Sequence, residues 1–265
     1  MDFYEYLNKT NFNKKLGNGV RVAIIDSGCN SDFPNIVGRF NGFTNKSDVS
    51  DDTGHGTAIG NIIYEIVPNC DLYICKALNS QNIATMESVY NCLAYVYSKD
   101  IDVVCMSFAG IHELSITTMR VLRDVQRNGT MLFASVGNDN KPMLVFPASV
   151  DGVYSVSGLS KDNLDEKLHS ANYPKDSIDF TALGEDIQTQ YDVIKRSGTS
   201  FSNAIVVGQV AYILSYNKKR AKDIDYNFLK KYMIGKTRKT DVGFGHMVFK
   251  EDFNEYWYFK KIKRY

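Results

Sequence analysis

The sequence predicts an α/β fold in which a mostly parallel central sheet is covered by helices on both faces, and two observations support this prediction. The first is a β-rich apolar run at residues 20–25, which is typical of a strand buried on both faces of a parallel sheet. The second is that similar runs recur along the chain with helical patterns between them. These further runs lie at residues 72–77, 103–108, 131–136 and 153–156.

Two of the intervening helices are predicted from apolar residues that repeat at helical spacing. The first helix has one face made of Met86, Val89, Tyr90, Leu93, Val96 and Tyr97. The second has one face made of Leu114, Thr118, Val121, Leu122 and Val125, and it stops at Gly129. Parallel α/β sheets bind their ligands beyond the carboxyl ends of the strands. Asp26, residues 107–110 and Asn138 all follow predicted strands at that edge.

The chain has 265 residues, 44% of them apolar, which is enough for a sizeable core. We predict a single domain over residues 1–265, with an N-terminal extension at 1–19 and a basic aromatic tail at about 248–265. Such a tail can bind a nucleic acid or an acidic lipid surface. The alternative, which we favour, is that its rings pack on its own domain and its lysines are solvated.

The overall charge and the hydropathy give no support for a nucleic-acid or membrane partner. Lys plus Arg number 31 and Asp plus Glu number 30, so no overall field favours a nucleic acid or a membrane surface. The N-terminus lacks the pattern of an export signal, and no apolar run approaches the roughly 20 residues of a membrane span. The five cysteines form no Cys-x-x-Cys pair, which predicts reduced thiols in a cytoplasmic protein. Cys29, three residues after Asp26, is alternatively a reactive thiol near the site.

Three short segments carry reactive side chains: Asp26 ends the first strand, and His55 and Ser200 follow far along the chain. In a catalytic triad the serine hydroxyl attacks an acyl carbonyl, the imidazole takes its proton and the carboxylate orients the imidazole. Asp26 could instead bind a metal or a ribose. Against this, Gly17-Asn18-Gly19 precedes the strand, whereas a dinucleotide fingerprint follows one.

His55 lies between two glycines, where a loop turns into an apolar run that predicts a helix start. An imidazole in the first turn of that helix can reach both a carboxylate and a hydroxyl. The alternative is a histidine that only caps the helix. The other histidines lie in polar, loop-like surroundings and are predicted to be structural or solvated: His112, His169 and His246.

Ser200 opens an apolar segment that continues to Leu214 and is predicted to be a buried helix. Unpaired amides and the positive end of the dipole at a helix N-terminus favour an oxyanion. Alternatively, Thr199 or Ser200 is simply an N-cap. The segment also nearly matches the Gly-x-Ser-x-Gly pattern of esterases, but in that class an acid and a histidine follow the serine. Of the residues after Ser200, only His246 could serve as that histidine.

The residues around these side chains resemble the signatures of the subtilisin-like serine peptidases. The matching segments are Ile24-Ile25-Asp26-Ser27-Gly28, Gly54-His55-Gly56-Thr57, Gly198-Thr199-Ser200 and Ala134-Ser135-Val136-Gly137-Asn138. The order Asp, His, Ser is that of subtilisin, and the similarity extends from about Val20 to about Met247. The resemblance implies a three-layer subtilisin-like fold and a triad of Asp26, His55 and Ser200.

The resemblance also implies an oxyanion hole, formed by the Asn138 side chain and the Ser200 N–H. It further implies an edge that pairs with an extended peptide as an added strand. The implied substrate-binding residues are Ser107, Phe108, Ala109 and Gly110 on the edge, with Ala134, Ser135, Val136 and Gly137 opposite. Val145 is implied to lie at the floor of the pocket for the residue before the scissile bond.

The chain departs from the family pattern at a few positions. Ala109 and Val145 stand where glycine is common, which predicts a shallow pocket and a preference for small or unusual residues. Ala58 and Ala204 replace a histidine and a proline, neither of which does acyl chemistry. Many relatives carry a calcium-binding loop in the helix after the catalytic histidine, and this chain has no such insertion, so we expect that high-affinity calcium site to be absent. A weak cation site is left open, and we assign no metal ligand and no cofactor.

These features together predict a serine endopeptidase that hydrolyses peptide bonds through an acyl-enzyme. The 19 residues before the first strand suit the compact intracellular type without a propeptide. We expect a peptide or precursor-protein substrate, such as a precursor or leader peptide that is processed, and neither nucleic acid nor membrane insertion. The oligomeric state is left open. The rivals are an inactive relative that binds peptide on the Ser107 edge as a scaffold or regulator, and an esterase.

Overall fold

The computed structural model describes residues 1–8, 12–110, 115–174, 178–224, 237–240 and 243–247. The helices in this part of the chain are α1 (Phe3–Asn8), α2 (His55–Ile66), α3 (Met86–Ser98), α4 (Ile116–Arg127) and α5 (Thr199–Tyr216), with a 3₁₀ turn at Ala221–Asp223. The strands are β1 (Arg21–Asp26), β2 (Ile36–Asn41), β3 (Asp71–Lys76), β4 (Val103–Met106), β5 (Met131–Ser135), β6 (Val153–Leu159), β7 (Phe180–Leu183), β8 (Thr237–Thr240) and β9 (Gly243–Met247).

These strands form one sheet in the order β2-β3-β1-β4-β5-β6-β7-β9-β8. Every neighbouring pair is parallel except β8 and β9, which are antiparallel. β1 lies between β3 and β4, so Asp26 at its end is flanked by the carboxyl ends of both neighbours. The predicted α/β class with a mostly parallel sheet is therefore confirmed.

Successive residues of β1 point to opposite faces of the sheet, and each face is covered by helices. Val22 and Ile24 belong to a core cluster that contains the apolar residues of α2 and α5. Ala23 and Ile25 belong to a second cluster, with α3 and α4. Helix α5 is buried at every position from Thr199 to Leu214, because it lies between the sheet and α2. The result is the three-layer arrangement that the sequence predicts.

Several predicted boundaries differ from the observed ones. The strand expected at 103–108 ends at Met106, because the chain leaves the sheet at Ser107. The helix expected to include Leu114 begins at Ile116 in the described residues, and Leu114 lies outside them. Sequence reasoning missed β2 and β7. β2 is a half-exposed strand near the sheet edge and β7 has only four residues, so neither has a long apolar run.

The N-terminal segment, expected to be an extension before the first strand, contributes to the core. Phe3, Tyr6 and Leu7 of α1 are buried in the cluster that contains α2 and α5. The hydroxyl of Tyr4 also accepts a hydrogen bond from the backbone N–H of Gln190 at 2.6 Å. Residues 1–8 are therefore packed on the domain. The tail at 248–265 lies outside the described residues.

The five cysteines are free and buried. Burial raises the pKa of the Cys29 thiol, which disfavours the thiolate that a reactive cysteine needs. The alternative role of Cys29 as a reactive thiol therefore gains no support. In the described part of the chain, no helix combines the length and apolar character needed to cross a membrane.

Candidate active site

The predicted site residues come together at the carboxyl edge of the sheet. Asp26 ends β1, Ser107 follows β4, and Asn138 lies in the loop after β5. Two helices begin at the same edge: His55 is the first residue of α2, as predicted, and Ser200 is the second residue of α5. Five segments remote in sequence thus meet at one place in the fold.

Asp26 and His55 form a close pair. Oδ1 of Asp26 lies 2.7 Å from Nδ1 of His55 and also accepts a hydrogen bond from the Ser27 N–H at 2.8 Å. The Asp26 side chain is 1% exposed, whereas the His55 side chain is 20% exposed. One end of the pair is therefore anchored in the protein, and the imidazole remains accessible at its other end.

Opposing effects set the pKa of His55. Burial alone would lower this pKa, but the negative charge and the hydrogen bond of Asp26 raise it, and the more distant Asp51 adds to the rise. The positive charge of Arg196 acts in the opposite direction. The net result is a pKa above the ordinary value of 6.5, so the imidazole takes up a proton more readily than a free histidine does.

The position of His55 depends on side chains that cap α2 from outside the helix. The N-cap residue, Gly54, has no side chain to offer, and its φ of 73° lies in the left-handed region. The hydroxyl of Ser27 instead accepts from the Gly56 N–H at 2.9 Å. Asp51 accepts from the Thr57 N–H at 2.8 Å. These bonds satisfy amides that the first turn leaves unpaired.

Asp51 is a site residue that sequence reasoning missed. Its buried carboxylate accepts hydrogen bonds from the Ser27 hydroxyl, from Thr53 and Gly54, and from both the N–H and the hydroxyl of Thr57. Burial would raise the pKa of Asp51, but these hydrogen bonds lower it to about 2. An acidic residue just before a predicted helix start was the available signal, because carboxylates favour helix N-termini.

Ser200 is held by a reciprocal pair of hydrogen bonds with Ser107. The Ser200 hydroxyl donates to the Ser107 carbonyl at 2.9 Å, and the Ser107 hydroxyl donates to the Ser200 carbonyl at 3.0 Å. Both residues lie in the described part of the chain, where no hydrogen bond joins the Ser200 hydroxyl to the His55 ring. The ring of the next residue, Phe201, has its centroid 5.6 Å from that of His55, so the imidazole lies beside the first turn of α5.

Asn138 caps α5, which was not predicted. Its side-chain oxygen accepts a hydrogen bond from the Thr199 N–H at 2.9 Å. The N-cap itself is Gly198, at φ 147° and ψ 160°, a conformation that is essentially restricted to glycine. Neither Thr199 nor Ser200 is the N-cap, so that alternative is wrong. No described residue accepts a hydrogen bond from the amide nitrogen of Asn138, so this nitrogen is available to donate.

The loop that carries Asn138 is held by Asn172, a second residue that the sequence analysis missed. Asn172 is fully buried, and its side-chain nitrogen donates to the Val136 carbonyl at 2.8 Å. Its side-chain oxygen accepts from the N–H groups of Asp139 and Lys141 at 3.1 and 3.0 Å. These bonds fix the backbone on both sides of Asn138. No local pattern around Asn172 indicated this role.

The predicted substrate edge and the opposite wall lie close together. Phe108 and Ala109 make no backbone hydrogen bond with any described residue, whereas the Gly110 N–H donates to the Phe146 carbonyl at 3.0 Å. A Cβ built on Gly137 would lie 3.4 Å from the Cβ of Ala109. The remaining predicted residues on that side are buried: Ala134, Ser135, Val136 and Val145.

The remaining histidines lie elsewhere or outside the described side chains. His169 is exposed. His112 lies outside the described residues, and of His246 only the backbone, in β9, is described. Within the residues that the structure covers, no group of three His, Cys, Asp or Glu side chains is placed to hold a metal ion.

Known proteins resemble this chain in sequence. A model of the subtilase family matches residues 17–248. The chain is 27% identical over 226 residues to an intracellular serine protease of Paenibacillus polymyxa, which covers 76% of the chain and 68% of that relative. It is 26% identical over 231 residues to the major intracellular serine protease of Bacillus subtilis (strain 168), which covers 77% of the chain and 70% of that relative.

Solved structures support the same fold. The crystal structure of a cold adapted subtilisin-like serine proteinase superposes with a TM-score of 0.77 at 21% identity, over 91% of this chain and 92% of that one. At this identity the likeness is one of fold. The predicted three-layer subtilisin-like architecture is therefore confirmed.

Proposed function

The chain belongs to the subtilase family of serine endopeptidases, and from this premise we propose that it hydrolyses peptide bonds through an acyl-enzyme formed on Ser200. The observation that carries the proposal is the 2.7 Å pair of Asp26 and His55, placed at the same sheet edge as a serine in the first turn of a buried helix. Acid, base and nucleophile are thereby available at one place.

Asp26 orients the base. With the Nδ1–H of His55 donated to the Asp26 carboxylate, the lone pair of Nε2 is the one left to accept a proton. Nε2 takes the Ser200 proton as the hydroxyl oxygen attacks the scissile carbonyl. The imidazolium is stabilised by the buried Asp26 charge and then gives the proton to the leaving amine. A water molecule deacylates the enzyme by the same steps in the second half of the reaction.

Substrate binding can prepare Ser200 for attack. In the free protein the Ser200 hydroxyl donates to the Ser107 carbonyl, and a peptide strand added to the 107–110 edge would compete for that carbonyl with its own N–H. Loss of this acceptor frees the hydroxyl to form its hydrogen bond with His55 in the substrate complex. Catalytic hydrogen bonds that are absent in the free enzyme commonly form only in the substrate complex.

Two donors are available to the oxyanion. The Ser200 N–H lies in the first turn of α5, where amides lack an intrahelical acceptor, and the positive end of the helix dipole adds to the favourable potential. The side-chain nitrogen of Asn138 is the second donor, since its oxygen is occupied by Thr199. A pair of fixed donors aimed at the developing charge stabilises the tetrahedral intermediate.

We further propose that the activity is selective processing rather than bulk degradation. The Ala109 methyl group stands close to Gly137 on the opposite wall, which leaves little room for a large side chain before the scissile bond. We therefore propose that small residues are preferred there, and that a precursor or leader peptide is the substrate. The naming of two relatives as intracellular proteases supports a cytoplasmic location for this activity.

Labelling with a fluorophosphonate probe tests the proposal, because the probe reacts only with an activated serine. Wild-type protein should be labelled and should cleave an unbiased peptide library, and Ser200→Ala should abolish both. Ser197→Ala is the matched control: Ser197 is an exposed residue of the same loop, and its hydroxyl accepts from the Asp186 N–H. Folded wild-type protein that binds peptide without labelling would support a scaffold or regulator. Ester turnover without peptide cleavage would support an esterase.

A further inference from the structure

Arg196 lies next to the proposed base, in a segment that the sequence analysis did not single out. A Cβ built on Gly54, the residue before His55, would lie 3.1 Å from Nη2 of Arg196. The charge of Arg196 is also close enough to His55 to act on the imidazole. A permanent positive charge therefore stands beside the group that handles the proton.

The guanidinium of Arg196 has no partner within the described part of the chain. Its Nε is buried without a hydrogen-bond acceptor, and the side chain makes no ion pair with a described carboxylate. The two acids that act on His55 do not pair with Arg196. Oδ1 of Asp26 accepts from His55 and Ser27, whereas Oδ2 of Asp26 is buried and has no partner among the described residues. Asp51 accepts hydrogen bonds from the loop that precedes α2. The terminal nitrogens of Arg196 also make no hydrogen bond with a described residue, so an incoming anionic acceptor can pair with them and lower the free energy of the unpaired cation.

The backbone holds Arg196 in a fixed position. Its N–H donates to the Ile187 carbonyl at 2.9 Å, and its carbonyl accepts from the Ile187 N–H at 2.8 Å. The hairpin closed by this pair is tied to α2, because the Asn61 side chain donates to Asp192 at 3.0 Å. The Tyr191 ring also packs edge-on against the ring of Tyr64 at 5.6 Å. These contacts therefore hold the loop that carries the guanidinium in a fixed position.

The location of Arg196 assigns it to one side of the scissile bond. In the proposed reaction the acyl part of the substrate pairs with the Ser107 edge, and the leaving amine departs on the side of His55, which protonates it. Arg196 contacts the turn that carries His55, so it faces the residues after the scissile bond. A guanidinium recognises a carboxylate there with charge-assisted, often bidentate hydrogen bonds.

We propose that Arg196 is a specificity-determining residue that binds a carboxylate of the substrate on the leaving-group side of the scissile bond. The carboxylate is either the side chain of an Asp or Glu after the cleaved bond or the terminal carboxylate of a short leaving peptide. The inference rests on the proposed function, because it assumes that peptide lies across Ser200. It adds to that function a preference for acidic substrates.

The test compares peptides that differ only in the residue after the scissile bond, Glu against Gln. Wild-type protein should prefer Glu by about tenfold in kcat/KM, a modest value for a hydrogen bond to a charged group. Arg196→Gln should bring the Glu-to-Gln ratio near unity. Arg196→Glu should cleave a third peptide, with Lys at this position, faster than the Glu peptide. Lys195→Gln is the matched control, since it removes one exposed positive charge from the adjacent position and should keep the wild-type ratio.

A second arm compares peptides with a free and an amidated C-terminus, which separates a terminal carboxylate from an acidic side chain. No preference for a carboxylate in the wild type would overturn the proposal, as would a ratio unchanged in Arg196→Gln or lost equally in Lys195→Gln. If wild-type protein is neither labelled by fluorophosphonate nor able to cleave peptide, the proposed function fails. In that case, the inference about Arg196 is decided by comparing the binding of the Glu and Gln peptides to Ser200→Ala protein.

Discussion

Asn138 combines two tasks in one side chain, and two substitutions separate them. Its oxygen caps α5 by accepting from the Thr199 N–H at 2.9 Å, and its nitrogen is the proposed oxyanion donor. Asn138→Ala removes both groups. Asn138→Asp keeps an oxygen for Thr199 and places a negative charge near the helix N-terminus, but it removes the donor.

The two substitutions should have different effects on stability, but both should lower turnover. Asn138→Ala should lower the free energy of unfolding by about 1 kcal/mol, the typical cost of a lost N-cap. It should also lower turnover by about 10²- to 10³-fold, the cost of one oxyanion donor. Asn138→Asp should lower turnover by at least that factor, because its charge faces the developing oxyanion. The same variant should leave stability unchanged or slightly raised, since a carboxylate at a helix N-terminus is favourable.

Urea unfolding and steady-state cleavage of one peptide measure both quantities in the same preparations. Asn140→Asp is the control, because Asn140 is an exposed residue of the same loop with φ 51°, a conformation that Asp tolerates. It adds the same charge away from α5 and should preserve turnover. Asn138→Asp protein that turns over within about tenfold of wild type would refute donation by Asn138. A large stability loss in that variant would refute the capping argument.

Three further predictions concern pH, the loop before α2 and the pocket. Turnover should rise with pH through a midpoint above 6.5, because the pKa of His55 is raised and only the neutral imidazole accepts a proton. A midpoint below 6.5 in the pH–rate profile would contradict this prediction. Asp51→Asn should lower the free energy of unfolding by about 2 kcal/mol at neutral pH. The pKa of Asp51 is about 2 in the folded state and about 3.9 in the unfolded state. The ionised carboxylate therefore stabilises the folded state fully above pH 4 and progressively less toward pH 2. Urea unfolding at pH 7 and pH 2 measures this, and an equal difference between the two proteins at both pH values would disprove it. Ala109→Gly should extend library cleavage to larger residues before the scissile bond, and an unchanged profile would refute a pocket limited by the methyl group.

Elements with a strong local signal were predicted well from the sequence. The run at 20–25 predicted β1, and the spacing of Val89, Leu93 and Val96 predicted α3, because burial against a sheet or a helix layer imposes its own period on the sequence. β2, β7 and α1 were missed. β2 and β7 lack the long apolar run that marked the other strands, and α1 buries Phe3 and Tyr6 against elements that are distant in sequence.

The sequence by itself determined the α/β class, the edge of the sheet where reactive groups gather, and the identity of Asp26, His55, Ser200 and Asn138 as the residues to examine. Only the tertiary structure decided how these groups are held. Asp51 caps the helix of His55, Asn172 clamps the loop of Asn138, and Arg196 reaches the turn before His55. The bond of Asp51 is local, because Asp51 lies only six residues before Thr57, whereas the contacts of Asn172 and Arg196 join residues that are remote along the chain. Such remote contacts impose no period on the sequence and become visible only when packing brings the residues together.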